Sequence, residues 1–445
     1  MFLIQRHRDR LELVGSTLAE WLAYNLAIFL VLFPKGGFKA GSIPLTWGYA
    51  IIGIALLCGL PFYLLENSYK FKAESIATFL SLAPFQILLI YSLLVNGSEN
   101  WSYALSDVVC FFVLPFAFLG IFPHFLPRIR MDRLLTLTRW LIFLAAAYGI
   151  FLFIWRLATG KYIEIPFLTV NIDDVGTLDS KFNSRPDGLF KLISTYNNGN
   201  QYGVATLLLF PLYEELEQNS IRKLIVRIAL VLTLSRTIWV GMILNELIDI
   251  LSHVVRDVAN TSRLSLRFRT MLRSVRLVLM AGIVLGMTLL FSGISFLFDS
   301  SLGGRADYLV TLTHLTWLPS VPVDGFAEIV YFSALFLFGV TGLLAVLLVF
   351  TAPLVLFFSF KSLRQSPIQI AAAQGLTLYI FLAAMDGALN YIPTMAFYWF
   401  LWMLLLHGAS QVRNESLPLY PSRITNEPRL VPAYLGLAHE KRDSE

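Results

Sequence analysis

Three arginines of the sequence are placed where they could bind an anion. Arg185 and Arg305 each lie in a long predicted loop, and Arg236 lies at a predicted turn between two short apolar segments. The planar guanidinium group binds phosphate oxygens through paired hydrogen bonds. An arginine near a helix end can instead extend its charge to the lipid headgroups. Because the three share one predicted side of the chain, the pattern favours an anion site suited to a lipid-linked diphosphate.

Carboxylates at the same predicted surface could act as a general base. Asp324 and Glu328 lie four residues apart before a predicted helix, so they share one face if that stretch is already helical. A carboxylate in a low-dielectric pocket can take a proton from a hydroxyl group. The alternative is structural, because the helix dipole favours acidic residues in the first turn. Asp386 is a further candidate, and capping of the last helix is its alternative role.

A polar run, Asn197–Gln201, lies within an otherwise apolar segment. Lipid cannot satisfy amide groups, so such a run breaks a helix, lines a wet cavity or joins helices by hydrogen bonds. The amides of Asn198 and Asn200, beside the ring of Tyr196, would suit a sugar. Tyr331 could also stack on a sugar, or it could belong to an interfacial aromatic belt. We expect no metal and no cofactor, because no His/Cys/Asp cluster has the spacing of metal ligands.

These residues belong to a chain whose composition requires a membrane. The 445 residues are 57% hydrophobic and only 14% charged, with a mean hydropathy of +0.68. A soluble protein carries about 25% charged residues. The shortage of charge excludes a soluble enzyme, a nucleic-acid-binding protein and a disordered chain. The excess apolar surface must face membrane lipid, so we predict an all-α integral membrane protein.

A helix needs about 20 apolar residues to cross the hydrocarbon core of a membrane. Ten apolar segments of the sequence approach this length, and a shorter pair between them could form two crossings or one long helix. We predict spans at Val14–Phe33, Leu45–Leu65, Ser75–Val95, Tyr103–Phe122, Leu134–Trp155, Leu189–Leu212, Leu224–Leu234, Thr237–Leu251, Leu277–Phe298, Ile329–Leu356, Pro367–Met385 and Ala388–Leu406.

The distribution of Lys and Arg predicts the orientation of these spans. With both termini in the cytoplasm and twelve crossings, most of the 34 Lys and Arg residues lie on the cytoplasmic side, as the positive-inside rule requires. Leu224–Leu251 then crosses twice, because a single crossing would place the basic segment Ser252–Arg276 outside. That basic segment is typical of a stretch that lies on anionic lipid.

The predicted membrane domain, residues 14–408, lies between a cytoplasmic N-terminus, 1–13, and a cytoplasmic tail, 409–445. Two predicted extracytoplasmic loops, 156–188 and 299–328, are far longer than most of the other connections. Loops of more than about 12–15 residues are usually functional. We therefore expect the functional site at the extracytoplasmic surface.

The order of several short motifs is similar to that of a known family. Ser184-Arg185-x-x-Gly188 precedes the Asn-rich segment, and Leu234-Ser235-Arg236-Thr237-x-Trp239 lies in the short helix pair. An arginine-bearing loop follows, and Glu328-x-x-Tyr331 then leads to Gly339-Val340-Thr341-Gly342-Leu343. This order resembles the O-antigen ligase and polymerase superfamily, which includes the Wzy-type polysaccharide polymerases. The resemblance covers Ser184–Phe350, and the five N-terminal spans match only in hydropathy.

The resemblance implies a metal-independent integral-membrane glycosyltransferase with a GT-C-like fold. Members of the superfamily act on undecaprenyl-diphosphate-linked glycans at the periplasmic face of the bacterial inner membrane. By position, Arg185, Arg236 and Arg305 would hold the diphosphate. The ligase branch carries a catalytic histidine eleven residues before the first glycine of its Gly-x-x-Gly element, where this chain has Glu328. The difference favours an O-antigen polymerase over a lipid A ligase.

As a polymerase of lipopolysaccharide or exopolysaccharide synthesis, the chain would join undecaprenyl-diphosphate-linked oligosaccharides, with a chain-length regulator as a candidate partner. Glu328, or Asp324 as second choice, would accept the proton of the attacking sugar hydroxyl. The alternatives are an O-antigen ligase, a lipid-linked oligosaccharide flippase or transporter, and a peptidoglycan polymerase. Transporters usually show two related halves, which are not evident in this sequence.

Overall fold

A computed structural model describes residues 16–40, 43–65, 73–178, 183, 190–258, 315–326 and 328–412 of the chain. This part is mostly helical. Four of its helices are long and apolar enough to cross a membrane, namely Ala73–Val95, Trp101–Arg128, Met131–Thr159 and Val330–Ser359. Shorter apolar helices accompany them. The chain is therefore an α-helical, membrane-associated protein, and the helices of spanning length in the described ranges are fewer than the twelve predicted crossings.

The first described elements include a β-hairpin that an all-α prediction does not contain. They are α1 (Ser16–Leu32), β1 (Gly37–Ala40), β2 (Ile43–Thr46) and α2 (Trp47–Leu65). The strands pair antiparallel, with Gly37 opposite Thr46. Gly37 has a φ of 145°, and a Cβ atom there would lie 2.2 Å from the carbonyl oxygen of Leu45, so the strands can close only on glycine. The second apolar helix consequently begins at Trp47 rather than at the predicted Leu45.

Three helices of spanning length follow, and the middle one is irregular. They are α3 (Ala73–Val95), α4 (Trp101–Arg128) and α5 (Met131–Thr159). The side chain of Asn100 caps α4 by accepting a hydrogen bond from the backbone N–H of Ser102. Within α4, Val109–Val113 and Phe116–Ile121 have π-helical hydrogen bonding. Such stretches are rare and occur frequently at functional sites.

The next three helices are α6 (Gly199–Leu216), α7 (Ser220–Leu232) and α8 (Arg236–Val258). The break between α7 and α8 confirms that the short apolar pair forms two helices rather than one. The predicted start of the sixth span is wrong, because the chain becomes helical only at Gly199. The side chain of Asn198 accepts hydrogen bonds from the backbone N–H groups of Asn200 and Gln201, and this cap starts the helix. The polar run therefore breaks the apolar segment.

Partly buried ion pairs join α5, α6, α7 and α8. Arg139, which lies inside a predicted span, is 3.8 Å from Glu217 and donates a hydrogen bond to the carbonyl oxygen of Leu216. Arg227 contacts both Glu214 and Glu246, and its guanidinium nitrogen lies 3.1 Å from the Glu246 carboxylate. Charges inside a helical bundle are retained where they are paired in this way. These pairs fix how the short α7 packs between its neighbours.

The last three helices are α9 (Val330–Ser359), α10 (Pro367–Ala383) and α11 (Ile392–Val412). Ser366 and Gln369 form a capping box at the start of α10. α10 packs against α6 and α11, so it lies in the centre of the bundle. Buried aromatic rings fill this centre, including those of Tyr379, Tyr398, Trp399 and Trp402.

Several predicted segments lie outside the described residues. They include the N-terminus 1–13, the ninth span Leu277–Phe298, and all but the first seven residues of the basic segment Ser252–Arg276. α11 continues to Val412, four residues past the predicted end of the membrane domain, and the tail beyond Val412 lies outside the described residues.

Candidate functional site

Residues predicted to do chemistry converge at one end of the bundle, where α6, α8 and α9 begin and α10 ends. We call this the site end. The backbone N–H of Leu192 donates to the carbonyl oxygen of Leu232, which ties the segment before α6 to the end of α7. The backbone N–H of Gly387 donates to the carbonyl oxygen of Glu328, which ties the turn after α10 to the segment before α9. Both distances are 3.0 Å.

A chain of three polar side chains crosses the site end. The Lys191 ammonium lies 3.3 Å from Asn200 Oδ1, and Asn200 Nδ2 donates to Asp386 Oδ2 at 2.9 Å. Lys191 and Asp386 are 8% and 4% exposed. An ammonium and a carboxylate are therefore held by the two ends of one amide, in a site largely screened from water. Interactions of charged groups are stronger there than in water.

The structure corrects the capping role considered for Asp386. α11 begins at Ile392, six residues later, so the Asp386 side chain is outside the capping position. The carboxylate instead lies in the turn between α10 and α11, where it accepts the hydrogen bond of Asn200. Its neighbour Gly387 contacts the backbone of Glu328. Asp386 is therefore a buried carboxylate of the site end.

Asp324 and Glu328 do not share a helix face. The helix α9 begins only at Val330, and both carboxylates are exposed on the irregular segment before it. This segment is held by Asn390, whose side-chain amide accepts a hydrogen bond from Phe326 N–H at 3.1 Å and donates to Phe326 O at 2.5 Å. Asp324 and Glu328, the predicted base candidates, thus lie on a loop that Asn390 holds in place and not on a helix.

A glycine break inside α9 positions the same loop. Gly339 has φ 70° and ψ −169°, a conformation open essentially to glycine alone. The helical hydrogen bonds lost at the break are replaced, because Val340 N–H donates to Thr316 O at 2.9 Å and Thr341 N–H donates to Trp317 O at 3.2 Å. The segment that precedes Asp324 therefore binds to α9 at the motif Gly339-Val340-Thr341-Gly342.

Arg236 is the first residue of α8, directly after the buried turn residues Thr233 and Ser235. A Cβ atom on Gly203 of α6 would lie 2.4 Å from Ile238, so the first turns of α6 and α8 are in close contact. This contact places Arg236 on the helix that packs directly beside Asn200. Arg185 and Arg305 lie outside the described residues, so their predicted position beside Arg236 stays a prediction.

Three of the predicted sugar-binding residues have structural contacts. Asn198 caps α6. Tyr196 is 2% exposed, and its hydroxyl donates to the carbonyl oxygen of Val31 at 3.1 Å. Tyr331 donates to the carbonyl oxygen of Ile380 at 2.8 Å. Asn200 alone of these predicted amides and aromatics contacts charged side chains of the described part.

Lys35 adds a positive charge near the same end, on the turn between α1 and β1. Its ammonium lies 4.4 Å from the centre of the Tyr391 ring, immediately before α11. Burial lowers the pKa of Lys35 to about 8, and the nearby Asp174 carboxylate partly opposes that shift. Lys39 forms an ion pair with Asp174, which ties the β-hairpin to the loop after α5.

Asp107 is a buried carboxylate outside the predicted set of site residues. It lies in α4 with no solvent exposure, and neither carboxylate oxygen has a hydrogen-bond partner among the described residues. The neighbouring Ser106 hydroxyl donates to Asn390 O, so this face of α4 packs on the turn that carries Asp386. Its signal in the sequence is one acidic residue within the predicted span Tyr103–Phe122. Lys191 gives the same signal within Leu189–Leu212.

An apolar cavity of about 110 Å³ lies between α1, α2, α4, α5 and α11. Among the described residues of its wall, Thr138 alone carries a hydroxyl group, and aromatic side chains such as Phe118, Phe122 and Phe400 line it. The described wall suits a hydrocarbon chain, because it offers almost no polar group that could bind a headgroup.

No family model matches the chain, and no curated protein is significantly similar to it.

Proposed function

We propose that the chain is a polysaccharide polymerase of the bacterial inner membrane. It crosses that membrane twelve times with both termini in the cytoplasm. It joins undecaprenyl-diphosphate-linked repeat units at the periplasmic face, without a metal ion. The observation that carries this proposal is the Lys191–Asn200–Asp386 network at the site end, beside the helix that starts at Arg236 and the loop that bears Glu328.

In the proposed reaction, a sugar hydroxyl of the incoming unit attacks the anomeric carbon of the growing chain. A new C–O bond forms, the bond between that carbon and the diphosphate oxygen breaks, and the bonding electrons leave with undecaprenyl diphosphate. Glu328, or Asp324 as second choice, accepts the hydroxyl proton. Both are exposed, so a large glycan can reach them.

The developing negative charge on the diphosphate requires fixed positive groups. Arg236 supplies one from the start of a helix, where the backbone N–H groups also favour an anion. Arg185 and Arg305 would supply the others. The apolar cavity between α1, α2, α4, α5 and α11 suits part of the polyprenyl tail.

Arg236→Ala tests the diphosphate site in a strain that lacks the chromosomal gene. Long-chain glycan should disappear while single repeat units persist on the cell surface. The matched control is Arg364→Ala, because Arg364 is exposed at the opposite end of the bundle, between α9 and α10. Normal chain lengths in a stably expressed Arg236→Ala strain would contradict the proposal.

Glu328→Gln tests the base in the same strain. Loss of the carboxylate should abolish polymerisation, whereas Glu99→Gln, an exposed control at the same end of the bundle, should polymerise normally. If Glu328→Gln retains activity and Asp324→Asn does not, the base is Asp324. Normal activity of both variants would remove the two carboxylates from the mechanism.

A flippase or transporter is the second candidate, and the broken helix α9 favours it. Helices interrupted in the membrane often form the substrate sites of transporters. Loss of a flippase leaves lipid-linked units in the cytoplasmic leaflet, whereas loss of a polymerase or a ligase leaves them in the periplasmic leaflet or on short glycans. Labelling of lipid-linked sugars from each side of the membrane separates these outcomes.

A further inference from the structure

Lys35 carries a partly buried ammonium group that has neither a hydrogen bond nor an ion pair among the described residues. The face of the Tyr391 ring attracts the ammonium but offers it no oxygen. The Asp174 carboxylate acts on it from beyond ion-pair distance and is itself paired with Lys39. The three N–H bonds of the ammonium therefore suit an anion that the described residues do not supply.

The turn that carries Lys35 is fixed in place. The carbonyl oxygen of Gly36 accepts a hydrogen bond from the backbone N–H of Trp47 at 3.1 Å. A Cβ atom on Gly36 would lie 2.4 Å from the carbonyl oxygen of Leu168, so glycine lets the turn pack directly on the loop after α5. Lys35 is therefore held at one place of the site end.

The apolar cavity ends beside this ammonium. On α1 the cavity wall reaches Val31, and on α11 it begins at Ala396. Lys35 follows Val31 by four residues and Tyr391 precedes Ala396 by five, so the lysine and its ring lie about one helical turn beyond the wall. A hydrocarbon chain in the cavity would bring its anionic headgroup to Lys35.

The size of the cavity favours a lipid with a single chain. An apolar cavity of about 150 Å³ holds one benzene molecule, so about 110 Å³ admits a segment of one chain and not two chains side by side. A polyprenyl diphosphate has one chain, whereas a phospholipid has two.

Lys35 and Arg236 lie on different sides of the site end. The rings of Tyr391, Tyr196 and Tyr202 form a row from Lys35 to α6, with centres 5.9 Å and 5.5 Å apart. The helix α8, which Arg236 begins, packs on α6 and α10. The row of rings thus separates the two cations, and each can bind a diphosphate of its own.

The loop that bears the candidate bases lies on the Lys35 side. Asn390, which holds this loop at Phe326, directly precedes Tyr391. In the proposed reaction the base takes its proton from the incoming unit, while the diphosphate of the growing chain leaves. A diphosphate at Lys35 therefore lies on the side where the incoming unit must be placed.

We infer that Lys35 and the apolar cavity bind the lipid diphosphate of the incoming repeat unit, the substrate that keeps its lipid during transfer. The ligand class is a single-chain isoprenoid diphosphate. A lysine ammonium donates charge-assisted hydrogen bonds to phosphate oxygens. The inference rests on the proposed function, since it assigns one of the two substrates of that reaction.

Native mass spectrometry of the purified protein in detergent counts bound farnesyl diphosphate. The wild type should bind two molecules, whereas Lys35→Met and Arg236→Ala should bind one each. Lys35→Arg keeps the charge and should bind two. Lys161→Ala is the control, because Lys161 is exposed on the loop after α5. Lys35→Gln gives a second reading if Lys35→Met does not fold.

A change in the cavity wall tests whether the cavity and Lys35 belong to one site. Ala23 lines the cavity, so Ala23→Phe should fill it and remove the same molecule as Lys35→Met. The Lys35→Met/Ala23→Phe protein should then still bind one molecule. Leu57→Phe, at an exposed position of α2, is the control and should bind two. A double variant that binds none would separate the cavity from Lys35 and overturn the inference.

A transfer assay shows which substrate Lys35 holds. Lipid-linked repeat units from the strain that lacks the gene serve as donor and acceptor, and units freed of lipid diphosphate by mild acid serve as a second acceptor. The wild type should prefer the lipid-linked acceptor. Lys35→Met should lower transfer to it at least tenfold and lose the preference. An equal fall for both acceptors would place Lys35 on the donor side and contradict the inference.

The other outcomes are distinguishable. If phosphatidylglycerol at equal concentration displaces the farnesyl diphosphate that depends on Lys35, the cavity holds a membrane lipid and the inference is wrong. If Arg236→Ala loses one molecule while Lys35→Met binds like the wild type, the proposed function stands without the inference. If the wild type binds farnesyl diphosphate no better than farnesol and transfers no sugar, both fail.

Discussion

Gly339→Ala should destabilise the protein by about 3–5 kcal/mol. The φ of 70° with ψ of −169° costs a residue with a Cβ about 1–3 kcal/mol. The added Cβ would lie 2.7 Å from Thr316 O and 2.9 Å from the carbonyl carbon of Trp317. Because both are backbone atoms, the loop must move, and the hydrogen bonds from Val340 and Thr341 weaken at about 1 kcal/mol each.

Two other glycines separate the two causes of this loss of stability, backbone strain and the clash with the loop. Gly97 has a φ of 71° with open space around its Cβ position, so Gly97→Ala should cost only about 1–2 kcal/mol of backbone strain. Gly53 has neither a positive φ nor a neighbour within 4 Å, so Gly53→Ala should be neutral or stabilise by up to about 1 kcal/mol.

The measurement is the free energy of unfolding in mixed detergent micelles, followed by far-ultraviolet circular dichroism. If Gly339→Ala costs no more than Gly97→Ala, the loop does not dock on the helix break. A cost equal to that of Gly97→Ala together with normal polymerisation would also show that the break is unimportant for Asp324 and Glu328.

Two further predictions concern residues near the site end. Burial lowers the pKa of Lys35 from 10.5 to about 8, so the folded state releases its proton first and stability should rise from about pH 8 to 10.5, by at most about 3 kcal/mol. Thermal unfolding at pH 8 and pH 10 checks this, and a rise that persists in Lys35→Met would assign it to another group. Asn390→Ala leaves the backbone of Phe326 without two partners and should cost about 1–3 kcal/mol. Asn25→Ala, which removes one hydrogen bond within α1, is the control and should cost less than about 1 kcal/mol. Equal losses of stability in the two variants would show that Asn390 does not hold the loop at Phe326.

Local signals in the sequence identify the elements of the site end. The Asn-rich run marks the start of α6 because an asparagine side chain can cap a helix, and Asn198 does so. The short apolar pair divides at a polar turn, which the structure places between α7 and α8. A residue that acts on the backbone next to it, as a helix cap or in a turn, is thus predictable from its residue type.

Contacts between distant segments are not predictable in this way. Asp386 lies 186 residues from Asn200, and nothing near either residue indicates that they form a hydrogen bond. The hairpin after α1 depends on the approach of Gly37 to Leu45, which an apolar pattern does not record. Asp107 and Lys191 can each be recognised in the sequence, because each is a charged residue within an apolar segment. The groups that surround them cannot, because these depend on the packing of several helices.

The π-helical stretch Val109–Val113 determines where α4 can lose a residue. A π-turn holds one residue more than an α-turn within about one full rotation, so the helix on either side keeps its phase. Removing one residue from this stretch would close it into an α-turn and leave Ser106 and Asp107 facing the turn that bears Asp386. Removing Val108 from the α-helical part would instead rotate Ser106 and Asp107 by about 100°. Two neighbouring deletions in α4 should therefore differ sharply in their effect on the groups that face this turn.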